Sequence, residues 1–317
     1  MGSMSVGKLK WLWAMSAPVC REGGNNTPKS KYEVTRFLIR RIGYFVKASR
    51  LIGSLREFMC PQKGSSLQRA MMQRPELVGA VIWPYICSSW DARTCLRRIV
   101  DHFRVIDTRA AILDFPFNDE MILLDLADIS PGLRVVLDQP KWFMREGLLV
   151  INLFLLDIRI YSLAFSLAFE NEMTVAYIGG IQGVDIEGVL DNYRGLTKAL
   201  HGMRPRDFLV ELFRIFCRFV KVSRIYAVDD SKRHHRSSYF GEKKSEKIFL
   251  NYNDVWLERG GIQANEDFYM LSIETPMKNM EEIPSKKRSM YKRRYDLLHT
   301  LEERMLVTFK DHPARCS

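Results

Sequence analysis

Between Lys31 and Phe58 the apolar residues Phe37, Ile39, Ile42, Phe45, Val46 and Leu51 recur at near-helical spacing, interleaved with Arg and Lys. That period predicts an amphipathic helix with a basic outer face. Leu67–Val105 also reads helical, broken by Pro75, Pro84 and the cap-like Ser88-Ser-Trp-Asp91. Beyond it Leu96, Ile99, Val100 and Phe103 form one stripe. The texture changes near Ala110. Segments Ile122–Leu126, Leu148–Leu156, Ile160–Phe169 and Met173–Ile181 are rich in β-formers, and short polar turns at Asp157–Arg159 and Glu170–Glu172 separate the last three. This is the pattern of an antiparallel meander. Helical patterns follow at Ile186–Leu200 and Pro205–Phe219, a short strand at Arg224–Val228, a polar basic stretch at Asp229–Glu246, a strand at Tyr269–Glu274 and a charged helix at Pro284–Leu306. No internal repeat is visible. The fold class is α+β: a mostly antiparallel sheet flanked by helices, behind a helical N-terminal region.

Three segments are expected. Residues 1–30 hold a tag-like Met1-Gly-Ser-Met4 and a polar, Gly/Asn/Pro-rich linker over 21–31. Residues 31–109 are helical, and 110–317 form the sheet-containing core with its basic C-terminal helix. A chain of 317 residues with 47% hydrophobic and 27% charged residues has the composition of a packed globular protein. The net charge of +11 favours an acidic carrier protein, an anionic membrane surface or nucleic acid as partner. Nucleic acid is the least favoured, because no zinc finger or RNA-binding aromatic signature accompanies the basic segments Ser231–Arg236 and Lys286–Arg294. A solvated helix face explains Lys286–Arg294 equally well.

The six cysteines (Cys20, Cys60, Cys87, Cys95, Cys217, Cys316) are scattered, without a CxxC pair or a Cys/His run of zinc-like spacing. No metal is expected, and a reducing, cytoplasmic setting is the simplest reading. The apolar part of Lys8–Cys20 is short for a leader, and Leu148–Phe169 is interrupted by Asp157 and Arg159. No membrane span is therefore expected, only peripheral contact at the inner membrane.

Five motifs appear in order: Tyr177-Ile-Gly-Gly-Ile-Gln-Gly183, Gly202-Met-Arg-Pro205, Ile225-Tyr-Ala-Val228, Tyr252-Asn-Asp-Val-Trp-Leu-Glu-Arg-Gly-Gly261 and Glu282-Ile-Pro-Ser-Lys-Lys-Arg288. Upstream, Leu77-Val-Gly-Ala-Val-Ile-Trp-Pro-Tyr85 and Ile99-Val-Asp-His-Phe103 fit the same series. From about Lys31 to Glu303 the chain resembles the bacterial VirK/YbjX family. The resemblance implies links to virulence, envelope maintenance and resistance to antimicrobial peptides, without a settled reaction.

The order meander, glycine-rich strand end, helix, short strand, loop, helix is similar to the core of GNAT acyltransferases. That likeness implies a central strand splayed from its neighbour and a glycine loop whose N–H groups take phosphates at a helix N-terminus, where unpaired donors and a partial positive charge favour anions. Here the Ile186–Leu200 helix intervenes between strand and loop. On this reading Gly202, Met203 and Arg204 hold the donor phosphate, and Gly180, Ile181, Gln182 and Gly183 face the thioester of acyl-CoA or an acyl carrier protein. Plain turn geometry remains the alternative for both glycine clusters. Transfer to an amine or hydroxyl of a peptide or envelope component needs a base and a proton donor for the departing thiolate. Candidate bases are Glu258, Asp254, His234 and His235, with Asp254 and His235 also placed to bind substrate. Tyr239 is a candidate donor or an ordinary surface tyrosine. Trp256 walls a substrate pocket or anchors the core. His102 and His201 read as structural, His299 and His312 as exposed. The rival reading is a non-catalytic envelope or virulence factor that binds anionic lipid or a protein through its basic face.

Overall fold

The computed structural model describes residues 5–21, 31–240 and 250–311. Most of the stretch read as a linker, the end of the Asp229–Glu246 segment, and His312 lie outside the described residues. Helix α1 (Val6–Arg21) occupies a stretch in which the hydrophobic pattern gave no element. Its buried positions Leu12, Ser16 and Val19 are spaced by four and three, one stripe of a helix. Arg41 of α2 (Lys31–Arg50) ties onto it, donating to Ser16 Oγ at 2.8 Å and to the Trp13 carbonyl at 2.9 Å. The single helix expected over Lys31–Phe58 is broken after Arg50, and a turn leads into α3 (Arg56–Met59). Next come α4 (Ser66–Gln73), a 3-10 stretch from Pro75 to Val81, and α5 (Ala92–Arg109). The Asp91 side chain caps α5, accepting the Thr94 N–H at 2.7 Å.

The remaining elements are strands β1 (Met121–Asp125), β2 (Leu133–Asp138), β3 (Leu149–Leu155), β4 (Ile158–Glu170) and β5 (Met173–Gly183), helices α6 (Val189–Ala199) and α7 (Pro205–Phe219), β6 (Arg224–Val228), α8 (Tyr252–Glu258), β7 (Ile262–Gln263), β8 (Phe268–Leu271) and α9 (Ser285–Asp311). They form one eight-stranded sheet in the order β1-β2-β3-β4-β5-β6-β8-β7. Neighbours are antiparallel except β5 and β6, which run parallel from Val175–Arg224 to Ile178–Ala227. A parallel neighbour needs a crossover, and α6 and α7 supply it.

Helices α5 and α7 both pack against β4. At the heart of that contact Phe165 of β4 meets Phe213 and Phe216 of α7 edge-on, with centroids 4.7 and 5.4 Å apart. Arg214 of α7 is wholly buried and satisfied, donating to Glu211 at 2.8 Å and to the carbonyls of Ser272 (3.0 Å) and Arg259 (2.6 Å). Helix α9 lies along α7, with Leu301 and Met305 buried and Phe309 stacked on Phe219 at 5.4 Å. It continues to β1, where Thr308 Oγ1 donates to the Leu123 carbonyl at 3.0 Å and Arg304 donates to the Asp125 carbonyl. Among the described residues, no helix is long and apolar enough to cross a membrane.

Candidate functional site at the carboxyl end of the parallel strand pair

Strand β5 carries one residue more than its partner β4 requires. Phe165 pairs with Ile178 and Ala164 with Gly180, so Gly179 is the bulged position. The glycines here make room for the chain after β2. A Cβ at Gly179 would collide with the Glu146 carbonyl, one at Gly180 with the Glu146 carboxylate, and one at Gly147 with the Phe165 backbone. Glu146 is thus wedged, backbone and side chain, against the end of β5. Burial pushes its carboxyl up to about 7 against the opposing pull of Arg233. Its Oε2 is buried and has no hydrogen-bond partner among the described residues.

The turn after β6 brings Arg233, His234 and His235 to the same place. Residues 232–233 are held to the N-terminal part by a bridge between Arg233 and Cys87 and by the Ser88 N–H donating to the Lys232 carbonyl at 2.7 Å. His234 is buried and His235 half-buried, their rings 4.9 Å apart at 80°. One ligand-type atom each from Glu146, His234 and His235 lies within 4.8 Å of the others. The exposed Tyr239 and its neighbour Phe240 pack toward Arg145, whose guanidinium is 5.4 and 5.3 Å from their ring centroids and 4.6 Å from that of Trp83.

Beyond Ala227, β6 soon ends while β5 runs on to Gly183, and α8 fills the parting. Tyr252 of α8 accepts the Ile181 N–H on its hydroxyl at 2.8 Å, and Trp256 Nε1 donates to the Val228 carbonyl at 2.9 Å. Burial holds the Tyr252 phenol well above the ordinary tyrosine range, although the Arg233 guanidinium lies 3.5 Å from its ring centroid.

The other expected residues are placed as follows. Glu258 does not reach the histidines. Its Oε2 accepts from Arg204 and, at 2.6 Å, from Arg206. Two guanidiniums occupy this carboxylate away from the histidine pair, which corrects its reading as the base beside them. Arg204 also donates to Asp207 at 2.8 Å, so its charge is already met. Met203 is buried, its N–H donates to Leu200, and the Gly202 N–H donates to Thr197 at 2.7 Å. Neither backbone donor is left for a phosphate. Gly180 and Ile181 face Glu146 and Tyr252 instead of open space, whereas Gln182 and Gly183 are exposed. Trp256 is fully buried, a core anchor and no pocket wall, and Asp254 is exposed. Within the basic segment Ser231–Arg236, Arg233 and His234 are buried, so the segment is not a continuous docking face.

A cleft of about 740 Å³ opens beside Gly202, with Tyr193, Arg194, Lys198, His201 and Arg293 among its lining. Gly202 has φ +81°, and a Cβ there would press on Met290 and Arg294 of α9. Tyr193 joins this cleft to the end of β5, its hydroxyl donating to the Ile160 (3.0 Å) and Val184 (3.2 Å) carbonyls. Sequence reasoning missed Glu146, Tyr252, Arg145 and Arg194, while Arg293 falls in the basic segment Lys286–Arg294. The one available signal was the Gly179–Gly180 pair, which demands a close neighbour.

Residues 28–306 match the model of a family described as "Protein of unknown function (DUF535)". The chain belongs to the DUF535 family. This DUF535 chain is 31% identical over 153 residues to "Uncharacterized protein YbjX" of Escherichia coli, a match covering 48% of this chain and 46% of that one. The expected VirK/YbjX kinship therefore holds. Two Haemophilus influenzae proteins, each named "Uncharacterized protein", match at 31% over 140 residues (44% of this chain, 45% of theirs) and at 27% over 186 residues (57% and 61%). The chain spans about half the length of the curated relatives it matches. No solved structure matches the DUF535 chain.

Proposed function

We propose that the chain is an acyltransferase. It would take an acyl group from a thioester donor, acyl-CoA or an acyl carrier protein, and pass it to an amine or hydroxyl of a peptide or envelope component. The observation that carries the reading is the parting of β5 and β6 after Ile178–Ala227, with the Tyr252 hydroxyl planted on the Ile181 N–H inside it. In open sheets, ligands bind beyond the carboxyl ends of parallel strands. The cleft beside Gly202 offers Arg194, Lys198, His201 and Arg293 to the donor's phosphates, and Tyr193 leads from it to Gly183. The same charges would steer an acidic carrier protein.

In the transfer, the acceptor nitrogen or oxygen attacks the thioester carbon, the carbon–sulfur bond breaks, and the thiolate takes a proton. Tyr252 is the group to give it. Its oxygen accepts from the Ile181 N–H, which would stabilise the phenolate left behind, and among the described residues nothing accepts its proton. The acceptor's proton leaves toward the cluster of Glu146, His234 and His235.

Native mass spectrometry with coenzyme A, acyl-CoA and acyl carrier protein tests the reading. One donor bound per chain, lost in Lys198→Glu/Arg293→Glu, supports it. Tyr252→Phe should keep donor binding and slow transfer by roughly 10²–10⁴-fold. If none of the three donors binds, the reading falls.

A second reading rests on α2. Val34, Leu38, Ile42 and Val46, spaced four apart, and Ile39 leave an apolar stripe exposed among Arg36, Arg40 and Lys47. Such a face suits the surface of an anionic membrane. Co-sedimentation with phosphatidylglycerol vesicles, weakened by Ile39→Glu/Ile42→Glu, would support it. Equal recovery with neutral vesicles would remove it.

A further inference from the structure

We propose that Glu146, His234 and His235 form a binding site for a divalent metal ion of the zinc class. One carboxylate oxygen and one ring nitrogen from each histidine already lie within 4.8 Å of one another. With metal–ligand bonds of about 2.1 Å at tetrahedral angles, ligand atoms stand roughly 3.4 Å apart. Small turns of three side chains would close the set. Two imidazole nitrogens and one carboxylate suit zinc and its first-row neighbours, whereas calcium and magnesium ask for oxygen throughout.

Three further observations support the assignment. Gly179 and Gly180 leave the space that lets Glu146 lie on the strand, so this ligand is held by backbone geometry. The Glu146 Oε2 is buried without a hydrogen-bond partner among the described residues. Buried carboxylate oxygens nearly always have a partner, and a cation would be one. The turn that carries the histidines is fastened at both ends: Ser237 N–H donates to the His234 carbonyl at 3.1 Å, and Ser88 holds the Lys232 carbonyl.

Arg233 opposes a dication, because its charge also faces Glu146. That charge is partly met by Asp230, 3.2 Å from the guanidinium. Three protein ligands leave at least one position on a four-coordinate ion. A hydroxyl or water bound there would lose its proton more readily. Glu146 lies far from the two histidines in the sequence, which is why spacing along the chain gave no sign of the set.

The proposal rests on the geometry of the cluster and not on the acyl-transfer reading. Metal binding without acyl transfer would keep this one and remove that one, and the converse also holds. The test uses the full chain, stripped by a chelator and dialysed against Zn²⁺, with metal content read by mass spectrometry and affinity by calorimetry. One Zn²⁺ per chain is expected. Affinity should weaken roughly 100-fold in His234→Ala and in His235→Ala. It should be unchanged in His299→Ala, whose ring is exposed beside Glu303. Unchanged affinity in His234→Ala/His235→Ala overturns the proposal. Should that variant fail to fold by circular dichroism, pulsed EPR of Mn²⁺ on the unaltered protein decides. Couplings to two imidazole nitrogens are expected, and fewer than two overturn the site.

Discussion

Gly179 has no room for even a methyl group, because the Glu146 carbonyl, a backbone atom that cannot swing away, occupies the place of its Cβ. Gly179→Ala should therefore cost roughly 1–3 kcal/mol, read as a lower urea midpoint. At Gly180 the neighbour is the end of a side chain. Gly180→Ala should cost less stability but displace the Glu146 carboxylate, so Zn²⁺ affinity falls while the urea midpoint barely moves. His102 makes stability depend on pH. It is wholly buried, its Nδ1 accepts the Leu167 N–H at 3.1 Å, and burial pushes it down to about 3. The unfolded histidine titrates near 6.5, so on acidification the unfolded chain takes up the proton first. Stability from this group is complete above that value and declines as pH falls toward 3, by at most roughly 1.4 kcal/mol per unit. Urea midpoints at stepped pH measure it. A His102→Gln chain with an unchanged slope would clear the histidine of responsibility.

At the scale of elements, α7 is anchored by Arg214, which joins Glu211 to the carbonyls of Ser272 and Arg259. Arg214→Leu would leave those acceptors buried and Glu211 short of a partner. It should destabilise the fold by roughly 3–5 kcal/mol, seen as early loss of hydrogen-exchange protection in α7 and β8. The sequence announced α7 and β6 with their actual bounds, because Pro205 sets a helix start and Arg224–Val228 is a compact apolar run. It was silent on β2, whose six residues begin just after Pro131-Gly132 and are buried at nearly every position, leaving no alternation to read. The i, i+2, i+4 spacing of Asp254, Trp256 and Glu258 fits strand and helix alike. The structure resolves it as a single helix of seven residues, too short for a period to declare itself. The candidate site was legible only in part. His234 and His235 stand out as an adjacent pair, but Glu146 is one of 37 acidic residues, and only the folded sheet sets it beside them.

For the whole molecule, α9 ties the crossover loop at Gly202 to the outer strand β1. Met305→Ala, at a fully buried position on it, should cost roughly 2–5 kcal/mol, and calorimetric melting would register the loss. The hydrogen bonds from Thr308 and Arg304 to the Leu123 and Asp125 carbonyls have another consequence. Strand β1 is the last strand on its side of the sheet, and an uncovered outer strand is a template on which a second chain can add its own. By occupying two of its carbonyls, α9 keeps successive molecules from joining edge to edge. Thr308→Ala/Arg304→Ala should leave the monomer folded yet let it polymerise as concentration rises, which light scattering would register as slow growth in particle size.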